Sequence, residues 1–260
     1  MQPSEPILTF RQVSYSYDGA TDALHEVSFE IYRGEFFGIA GATGSGKSTL
    51  TLLMNGLRQP SSGTVLFQDQ DLSHKEFARM VPAHVGVVFQ YPEYQLFAST
   101  VADDVAFGPC NLGLSSQEIK RRVAHALELV HLEPTLATRN PFELSGGQQR
   151  RVAIAGILAM EPEVLVLDEP CAGLDPVGRA TLFELLTELH RTGITIVMVS
   201  HDMDDLEEYC NRMLVLSAGE QRFLASPQDV FVPENRAELQ RMGLDLPRRV
   251  LAQQTLANMR

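Results

Sequence analysis

Apolar residues in this chain fall into short runs, separated by turn residues, that predict β-strands. VLVLD (164–168) and ITIVMVS (194–200) are continuous apolar runs, which is typical of strands buried on both faces of a sheet. Six earlier runs also predict strands: ILTF (7–10), VSYSY (13–17), VSFEIY (27–32), EFFGIAG (35–41), GTVLF (63–67) and HVGVVF (84–89).

Helical periodicity follows or separates several of these strands. The stretch from about 91 to 160 predicts a helical subdomain inserted between strands, within which SSQEIKRRVAHALELV (115–130) begins with a possible capping box, Ser115-x-x-Glu118. A helix over 176–191 links two strands as a βαβ unit, and the polar tail from Ser226 predicts two helical pieces, the second running to residue 260. The other predicted helices are 47–57 and 147–160.

Composition narrows the classes of function. The 260 residues carry a formal net charge of −12, a poor electrostatic match for nucleic acid or an anionic lipid surface. Three cysteines without a CxxC pair predict reduced, cytosolic thiols. The N-terminus does not resemble a signal peptide, and no stretch reaches the roughly 18 consecutive apolar residues of a membrane helix. We therefore expect other chains to hold this one at any membrane where it works.

GATGSGKST (41–49) fits the phosphate-binding pattern G-x-x-x-x-G-K-[ST] and lies between a predicted strand and a predicted helix. Its glycines let backbone N–H groups face phosphates, Lys47 supplies a cation for the β- and γ-phosphates, and Ser48 can bind Mg²⁺. A glycine-rich turn that binds nothing is the alternative. The predicted nucleotide-binding residues here are Gly41, Ala42, Thr43, Gly44, Ser45, Gly46, Lys47, Ser48 and Thr49.

Polar side chains at the ends of three later strands suit the same chemistry. Asp168 and Glu169 end the run VLVLDE, where Asp168 would orient Mg²⁺ and Glu169 would polarise an attacking water. His201 directly follows ITIVMVS and is expected to reach the γ-phosphate. Gln90 ends HVGVVF and is expected to touch the metal or the water. For Asp168 and Glu169 the alternative is a solvated strand end. For His201 the alternative is a structural histidine.

LSGGQ, residues 144–148, begins a predicted helix with small residues and open N–H groups, a second anion site. Because one chain need not use two such sites on one nucleotide, we expect this loop to close over phosphates bound by another subunit. An ordinary helix cap by Ser145 is the alternative. The predicted residues of this second nucleotide contact are Leu144, Ser145, Gly146, Gly147 and Gln148.

Together these motifs resemble the ATP-binding cassette (ABC) ATPases over about residues 7–225. The resemblance implies an α/β cassette over 1–225, with a RecA-like P-loop core, an antiparallel β subdomain and the inserted helical subdomain. It also implies a C-terminal helical extension over 226–260 that pairs two ATPases, unless the tail only caps the domain. By the same resemblance Tyr17 stacks on adenine, unless it packs in the core, and Asp175 of AGLD (172–175) lines the dimer interface. Cys171 departs from the family's usual Ser or Thr.

Three classes of ABC protein fit such a cassette: a transporter motor, a soluble machine acting on DNA or ribosomes, and a scaffold in cofactor assembly. Residues 48–143 leave no room for a long coiled coil, and the chain is acidic and has one cassette. Both features disfavour a soluble machine that acts on DNA or ribosomes. FQYPEYQLFASTVADDVAFGP (89–109) and residues 141–170 closely resemble ATPase subunits of energy-coupling factor (ECF) importers, of the second paralogue type. Gln149 replaces the methionine usual in that paralogue. A role in cofactor assembly stays open.

The ECF resemblance implies an ATPase, using ATP and Mg²⁺, at the cytoplasmic face of the membrane. Its partners would be a paralogous or identical ATPase, a transmembrane T subunit and, indirectly, an S subunit that selects a vitamin, nickel or cobalt. Residues 89–97 (FQYPEYQLF), hereafter the aromatic segment, are expected to dock the T subunit, with Glu93 pairing with its arginine. A packed surface loop is the alternative. The expected docking residues are Gln90, Tyr91, Glu93, Tyr94 and Phe97.

Overall fold

The computed structural model describes residues 5–258 and divides the chain into two compact units. The first unit combines residues up to Val81 with those from Thr195 onward, and the second covers Pro82–Ile194. The strands are β1 (Pro6–Ser16), β2 (Asp22–Tyr32), β3 (Phe36–Ala40), β4 (Ser62–Phe67), β5 (Gln70–Asp71), β6 (Val85–Val88), β7 (Val164–Asp168), β8 (Thr195–Val199), β9 (Arg212–Ser217) and β10 (Glu220–Ala225). The helices are α1 (Lys47–Met54), α2 (Lys75–Ala78), α3 (Val81–His84), α4 (Val101–Asn111), α5 (Ser116–Leu129), α6 (Gly146–Leu158), α7 (Pro176–Arg191), α8 (Met203–Tyr209), α9 (Pro227–Val230), α10 (Arg236–Arg241) and α11 (Arg248–Asn258).

An antiparallel sheet in the first unit has the strand order β2-β1-β4-β5. The sequence predicts two strands over 7–10 and 13–17, whereas β1 is one strand of 11 residues. Its pairing with β2 shifts between Phe10 and Val13, and Gln12 in this interval has φ +49°. The polar residues that separate the two apolar runs therefore form a bulge within one strand.

The core of the first unit is built on β3, whose five residues are all buried. β3 pairs in parallel with β8 on one side and with β9 on the other, and β10 adds to β9 as an antiparallel hairpin. This hairpin is absent from the sequence prediction. Its turn residues Ala218 and Gly219 both have positive φ, as a type I′ turn requires, and alanine at the first position gives little signal of such a turn.

The tail after β10 is helical and joined to the first unit. The backbone N–H and the guanidinium of Arg248, which begins α11, donate to Asp204 of α8, and Arg249 donates to Glu207 of α8. The sequence predicts two helical pieces in the tail, whereas the structure has three helices there: α9, α10 and α11. Residues 259–260 of the predicted last helix, and residues 1–4 of the predicted cassette, lie outside the described residues.

In the second unit the buried strands β6 and β7 pair in parallel, and α4, α5 and α6 pack on one another. These three helices occupy the stretch predicted as a helical subdomain, and α7 begins and ends where the sequence predicts. At α5, Ser115 accepts the N–H of Glu118, but the Glu118 carboxylate binds Arg121 and Arg122 instead. The ion pairs hold the pKa of Glu118 at about 2, and the predicted capping box is only half formed.

Candidate functional site

The loop 41–46 connects buried strand β3 to α1, as the phosphate-binding pattern requires. Gly44 and Gly46 have φ of +81° and +107°, a region that other residues adopt only with strain. A Cβ at Gly46 would lie 2.6 Å from the carbonyl oxygen of Ala23. The backbone therefore needs glycine at this position for both conformation and space.

Lys47 is a buried cation at the first position of α1. Its Nζ donates to the carbonyl oxygens of Gly41 at 2.7 Å and Ala42 at 3.1 Å. These bonds hold the ammonium group against the loop that precedes its own helix. A cation beside a helix N-terminus suits an anionic ligand such as a phosphate.

Ser45 carries the clearest mark of a ligand site in this loop. Its Oγ is buried and has no hydrogen-bond partner among the described residues. Buried hydroxyl groups in folded proteins are nearly always hydrogen-bonded, so an orphaned one needs an explanation. A phosphate oxygen seated in the loop would supply the missing partner.

Tyr17 lies one residue beyond β1 and is 60% exposed, so the alternative of a core aromatic is wrong. Its hydroxyl lies 3.1 Å from Oγ1 of Thr49 in α1, and its ring packs edge-on against Tyr15. These contacts fix the ring beside the phosphate-binding helix while leaving it open to solvent. Such a ring can stack on a planar base.

His201 is exposed and follows the end of β8, which runs parallel to β3. The N–H of Ser200 donates to the carbonyl of Ile39, so His201 and the loop after β3 lie at the same edge of the first unit's sheet. Asp202 then caps α8 through the N–H of Asp204. Contact between His201 and a bound phosphate stays a prediction.

Three predicted residues of the second unit gather at the ends of its parallel strands. Asp168 ends β7 and is buried, Glu169 follows it, and Gln90 lies two residues beyond the end of the neighbouring strand β6. Glu169 has φ +50°, and its carbonyl accepts the N–H of Ala172 in the loop 169–175, hereafter the β7–α7 loop. Strained backbone of this kind is concentrated at functional sites.

The LSGGQ residues form the start of α6. Ser145 and Gln148 make a full capping box, so the ordinary cap offered as an alternative is present. Gly146 and Gly147 are exposed, and a Cβ on either would meet nothing within 4 Å. The helix start therefore has both a cap and open backbone N–H groups. Asp175 similarly caps α7 by accepting the N–H of Gly178.

The aromatic segment differs from its prediction in one respect. Tyr94 and Phe97 are 83% and 59% exposed, as a docking surface requires, and Tyr91 is also exposed. Glu93, however, is not available to a partner's arginine, because both its carboxylate oxygens accept hydrogen bonds from Arg150 within this chain. The predicted role of Glu93 is therefore corrected: its partner is internal.

Arg150 is a site residue that the sequence prediction missed. It lies on the same face of α6 as the buried residues Ile154 and Leu158, at a spacing of four. An arginine in an otherwise apolar buried stripe signals a buried carboxylate partner, because a buried cation without one is costly. Glu93, the one charged residue of the aromatic segment, could have been proposed on that ground.

Two kinds of site are absent from the described residues: a membrane-spanning helix and a cluster of metal-binding side chains. Within 5–258, no helix is both long and apolar enough to cross a bilayer. The same residues contain no group of three or more His, Cys, Asp or Glu side chains placed to hold a metal ion. A Mg²⁺ bound largely by substrate phosphates and water does not need such a group.

Comparison with known proteins identifies the family. The family described as ABC transporter matches residues 24–172. The energy-coupling factor transporter ATP-binding protein EcfA2 of Symbiobacterium thermophilum is 52% identical over 92% of this chain and 84% of its own length. EcfA2 of Clostridioides difficile strain 630 is 49% identical over 88% and 80%.

Solved structures agree with these relatives. Clostridium perfringens cbiO1, described as part of the ABC transporter complex cbiONQ, has a TM-score of 0.82 and 38% identity, covering 96% of this chain and all of its own. The ATP-binding cassette MJ0796, solved as a dimer in a post-hydrolysis state with ADP and Pi, has a TM-score of 0.74 and 29% identity, covering 85% and 98%. The chain therefore belongs to the ABC transporter family and, within it, to the energy-coupling factor transporter ATP-binding proteins of the EcfA2 type.

Proposed function

We propose that this chain binds ATP through residues 41–49 and Tyr17 and hydrolyses it to drive an energy-coupling factor importer. The observation that carries the proposal is the phosphate loop, with its buried orphan hydroxyl on Ser45 and its buried cation on Lys47. Family membership supports nucleotide binding and ATPase activity coupled to transport. No contact in the described residues favours the alternative role in cofactor assembly.

Mg²⁺ fits the donors that the chain offers. Ser48, Asp168 and Gln90 would hold it, since hydroxyl, carboxylate and amide oxygens are the hard ligands this ion prefers. When bound, the ion would offset negative charge on the phosphates. Ser48 is exposed in the first turn of α1, next to Lys47.

The remaining roles are assigned to side chains of this chain. Lys47 binds the β- and γ-phosphates, and His201 contacts the γ-phosphate. Glu169 orients the attacking water and accepts its proton, because a carboxylate directly after a buried strand can be held at a fixed position. The strained backbone of Glu169 supports this assignment.

The catalytic unit is a pair of ATPases. The dimeric cassette among the solved relatives supports this pairing. Residues 144–148 of this chain are proposed to close over ATP bound by the partner, with Asp175 at the interface. ATP binding then favours the closed pair and hydrolysis releases it. An almost complete switch from the open to the closed pair requires ATP to bind the closed pair about 10⁴-fold more tightly than the open one. The partner is either an identical or a paralogous ATPase, and both arrangements use the same contacts.

A T subunit in the membrane is proposed to dock on the aromatic segment through Tyr91, Tyr94 and Phe97. Tyr94 and Phe97 are exposed, and Phe97 packs edge-on against Phe107, itself exposed on α4. These rings offer an apolar surface to a helix of the T subunit. Gln90, at the head of the segment, links the surface to the nucleotide. The S subunit then contributes the choice of a vitamin, nickel or cobalt without touching this chain.

The cassette is proposed to cover 1–225 and the C-terminal extension 226–260. The extension, joined to α8 by two ion pairs, is proposed to help hold the two ATPases together. The complex is placed at the cytoplasmic face of the membrane, with this chain peripheral to it.

The proposal is tested by nucleotide binding and hydrolysis with wild type and Lys47→Ala. The wild type should be stabilised against heat by ATP with Mg²⁺ and should hydrolyse ATP when paired. Lys47→Ala should retain its fold but lose ATP-dependent stabilisation and turnover, because the phosphates lose their principal cation. Normal turnover in a folded Lys47→Ala protein would refute the assignment.

A further inference from the structure

We propose that Arg150 is a positioning residue that couples the aromatic segment to the β7–α7 loop and to the helix that begins at LSGGQ. The inference rests on the proposed function, since it assumes that the aromatic segment receives the T subunit. It adds a residue, and a physical link between three elements, to that function.

The first contact joins α6 to the aromatic segment. Arg150 Nε lies 3.1 Å from Glu93 Oε2 and Nη2 lies 3.2 Å from Oε1, a fork-to-fork arrangement. The Arg150 side chain is 7% exposed and that of Glu93 is 17% exposed. Bidentate arginine–carboxylate pairs fix both distance and orientation, and burial protects this one from screening by salt.

The second contact joins α6 to the β7–α7 loop. Arg150 Nη1 donates to the carbonyl of Pro170 at 3.1 Å, and Nη2 donates to that of Ala172 at 3.0 Å. Pro170 directly follows Glu169, the proposed water-orienting residue, and the N–H of Ala172 donates to the Glu169 carbonyl. One guanidinium therefore holds the loop on which Glu169 depends.

A further contact brings the aromatic segment close to the same loop. A Cβ at Gly173 would lie 3.3 Å from Cε1 of the Tyr91 ring, so glycine is the residue that leaves room for the tyrosine. Tyr91 itself has φ +56°, a strained conformation between Gln90 and Pro92. The segment and the loop thus meet at two places, directly at Tyr91 and through Arg150.

Burial makes the link obligatory. The arginine cation is almost fully removed from water, and separating it from Glu93 would leave a buried charge without compensation. When docking of a membrane helix displaces the aromatic segment, the lower-energy response is for Arg150 to follow Glu93. The β7–α7 loop is then carried with it because it is bonded to the same guanidinium, and α6 follows because Arg150 belongs to that helix.

The test compares ATP hydrolysis by the isolated ATPase pair with hydrolysis by the complex copurified with its membrane partner in detergent. The variants are Arg150→Lys, which keeps the charge but loses the fork, Glu93→Gln, which keeps the shape but loses the charge, and the double variant. Arg151→Lys is the matched control, since Arg151 is the next residue of α6 and makes no ion pair with Glu93 in the described part of the chain. Thermal unfolding of each protein without nucleotide checks the fold.

The expected result concerns the ratio of kcat in the complex to kcat in the isolated pair. Each single variant should lower this ratio by about fivefold or more, the size of an allosteric coupling. The double variant should lower it no further than Arg150→Lys alone, because Arg150→Lys already loses both the fork to Glu93 and the hydrogen bonds to the loop. KM for ATP should stay as in the wild type, since neither residue belongs to the phosphate loop, and the control should keep the wild-type ratio.

Three outcomes would overturn the inference: an unchanged ratio in the single variants, additive losses in the double variant, or an equal loss in Arg151→Lys. A variant with lower thermal stability but a wild-type ratio would also do so, since it would reduce Arg150 to a stabilising residue. The proposed function fails separately, if the wild-type complex itself does not hydrolyse ATP.

Discussion

Replacing Ser45 with alanine should stabilise the nucleotide-free protein and weaken its binding of ATP. Ser45 Oγ is buried in the phosphate loop without a partner among the described residues. A buried hydroxyl that makes no hydrogen bond costs about 1–3 kcal/mol. Alanine removes that cost from the free protein and also removes the hydroxyl that a phosphate oxygen would meet. The two effects have opposite signs.

The magnitudes follow from these two costs. At about 2–4 °C per kcal/mol for a chain of roughly this size, relief of even 1 kcal/mol raises the unfolding temperature of the free protein by about 2–4 °C. A hydrogen bond to a charged group contributes about 1.5–3 kcal/mol. Its loss would weaken ATP binding by about ten- to 150-fold.

Thermal unfolding of Ser45→Ala and wild type, with and without ATP and Mg²⁺, measures both effects together. Thr43→Ala is the control, because Thr43 is an exposed residue of the same loop and its truncation should leave the free protein within about 0.5 kcal/mol of wild type. Ser45→Ala should unfold at a higher temperature without ATP and gain less from ATP. If nucleotide-free Ser45→Ala unfolds at a lower temperature than the wild type, the interpretation of Ser45 Oγ as a phosphate-binding group without a partner in the free protein is refuted.

Three other predictions concern chemistry, pairing and thiols. Glu169→Gln keeps the side-chain shape and should still bind ATP, but hydrolysis should fall by about 10²–10⁴-fold because the proton acceptor is lost. Hydrolysis at the wild-type rate in a single-turnover assay would assign the role of proton acceptor to another residue. In a mixed ATPase pair, Ser145→Ala should impair the site whose phosphate-loop lysine belongs to the partner, and a loss that instead followed Lys47 of the same chain would contradict the shared site. Maleimide labelling followed by mass spectrometry should modify exposed Cys110 in the native protein, whereas Cys210, whose thiol pKa is raised by burial, should react only on unfolding.

Correction of the Glu93 role also changes how docking should be tested. A Glu93→Lys substitution would break a buried internal ion pair and place two cations together, so poor assembly of that variant would not identify the docking surface. Tyr94→Ser removes an exposed ring and keeps both residues of the Glu93–Arg150 pair. It should reduce copurification of the T subunit while leaving ATP binding unchanged, and undiminished copurification would speak against docking at Tyr94.

Elements encoded by local pattern were predicted well from the sequence. α7, β7 and β8 follow from continuous apolar runs and a helix between them, and the phosphate loop follows from a motif whose glycines meet a backbone requirement. The single long β1 was missed because its bulge at Gln12 looks like a break in the apolar pattern. The hairpin of β9 and β10 was missed because Ala218 gives no turn signal.

Contacts distant in sequence were the harder part of the site. Glu93 and Arg150 are 57 residues apart, and no local pattern pairs them. The sequence correctly marks Glu93 as the one charge in an aromatic segment, but it cannot tell an internal arginine from one on a partner. Similarly, the exposure of Tyr17 depends on where β1 ends. The sequence does not fix that end, so only the structure excludes a core position for Tyr17.

ATP hydrolysis by this chain is proposed to power import through a membrane partner. The most direct test measures ATP hydrolysis and uptake together in vesicles that contain the complex purified through this chain. A panel of labelled vitamins, Ni²⁺ and Co²⁺ serves as substrate, and complexes carrying wild type or Glu169→Gln are compared. We expect one substrate to accumulate only with ATP, and hydrolysis and uptake to fall together in the variant. Uptake at the wild-type rate by a Glu169→Gln complex whose hydrolysis is lost would contradict this proposal.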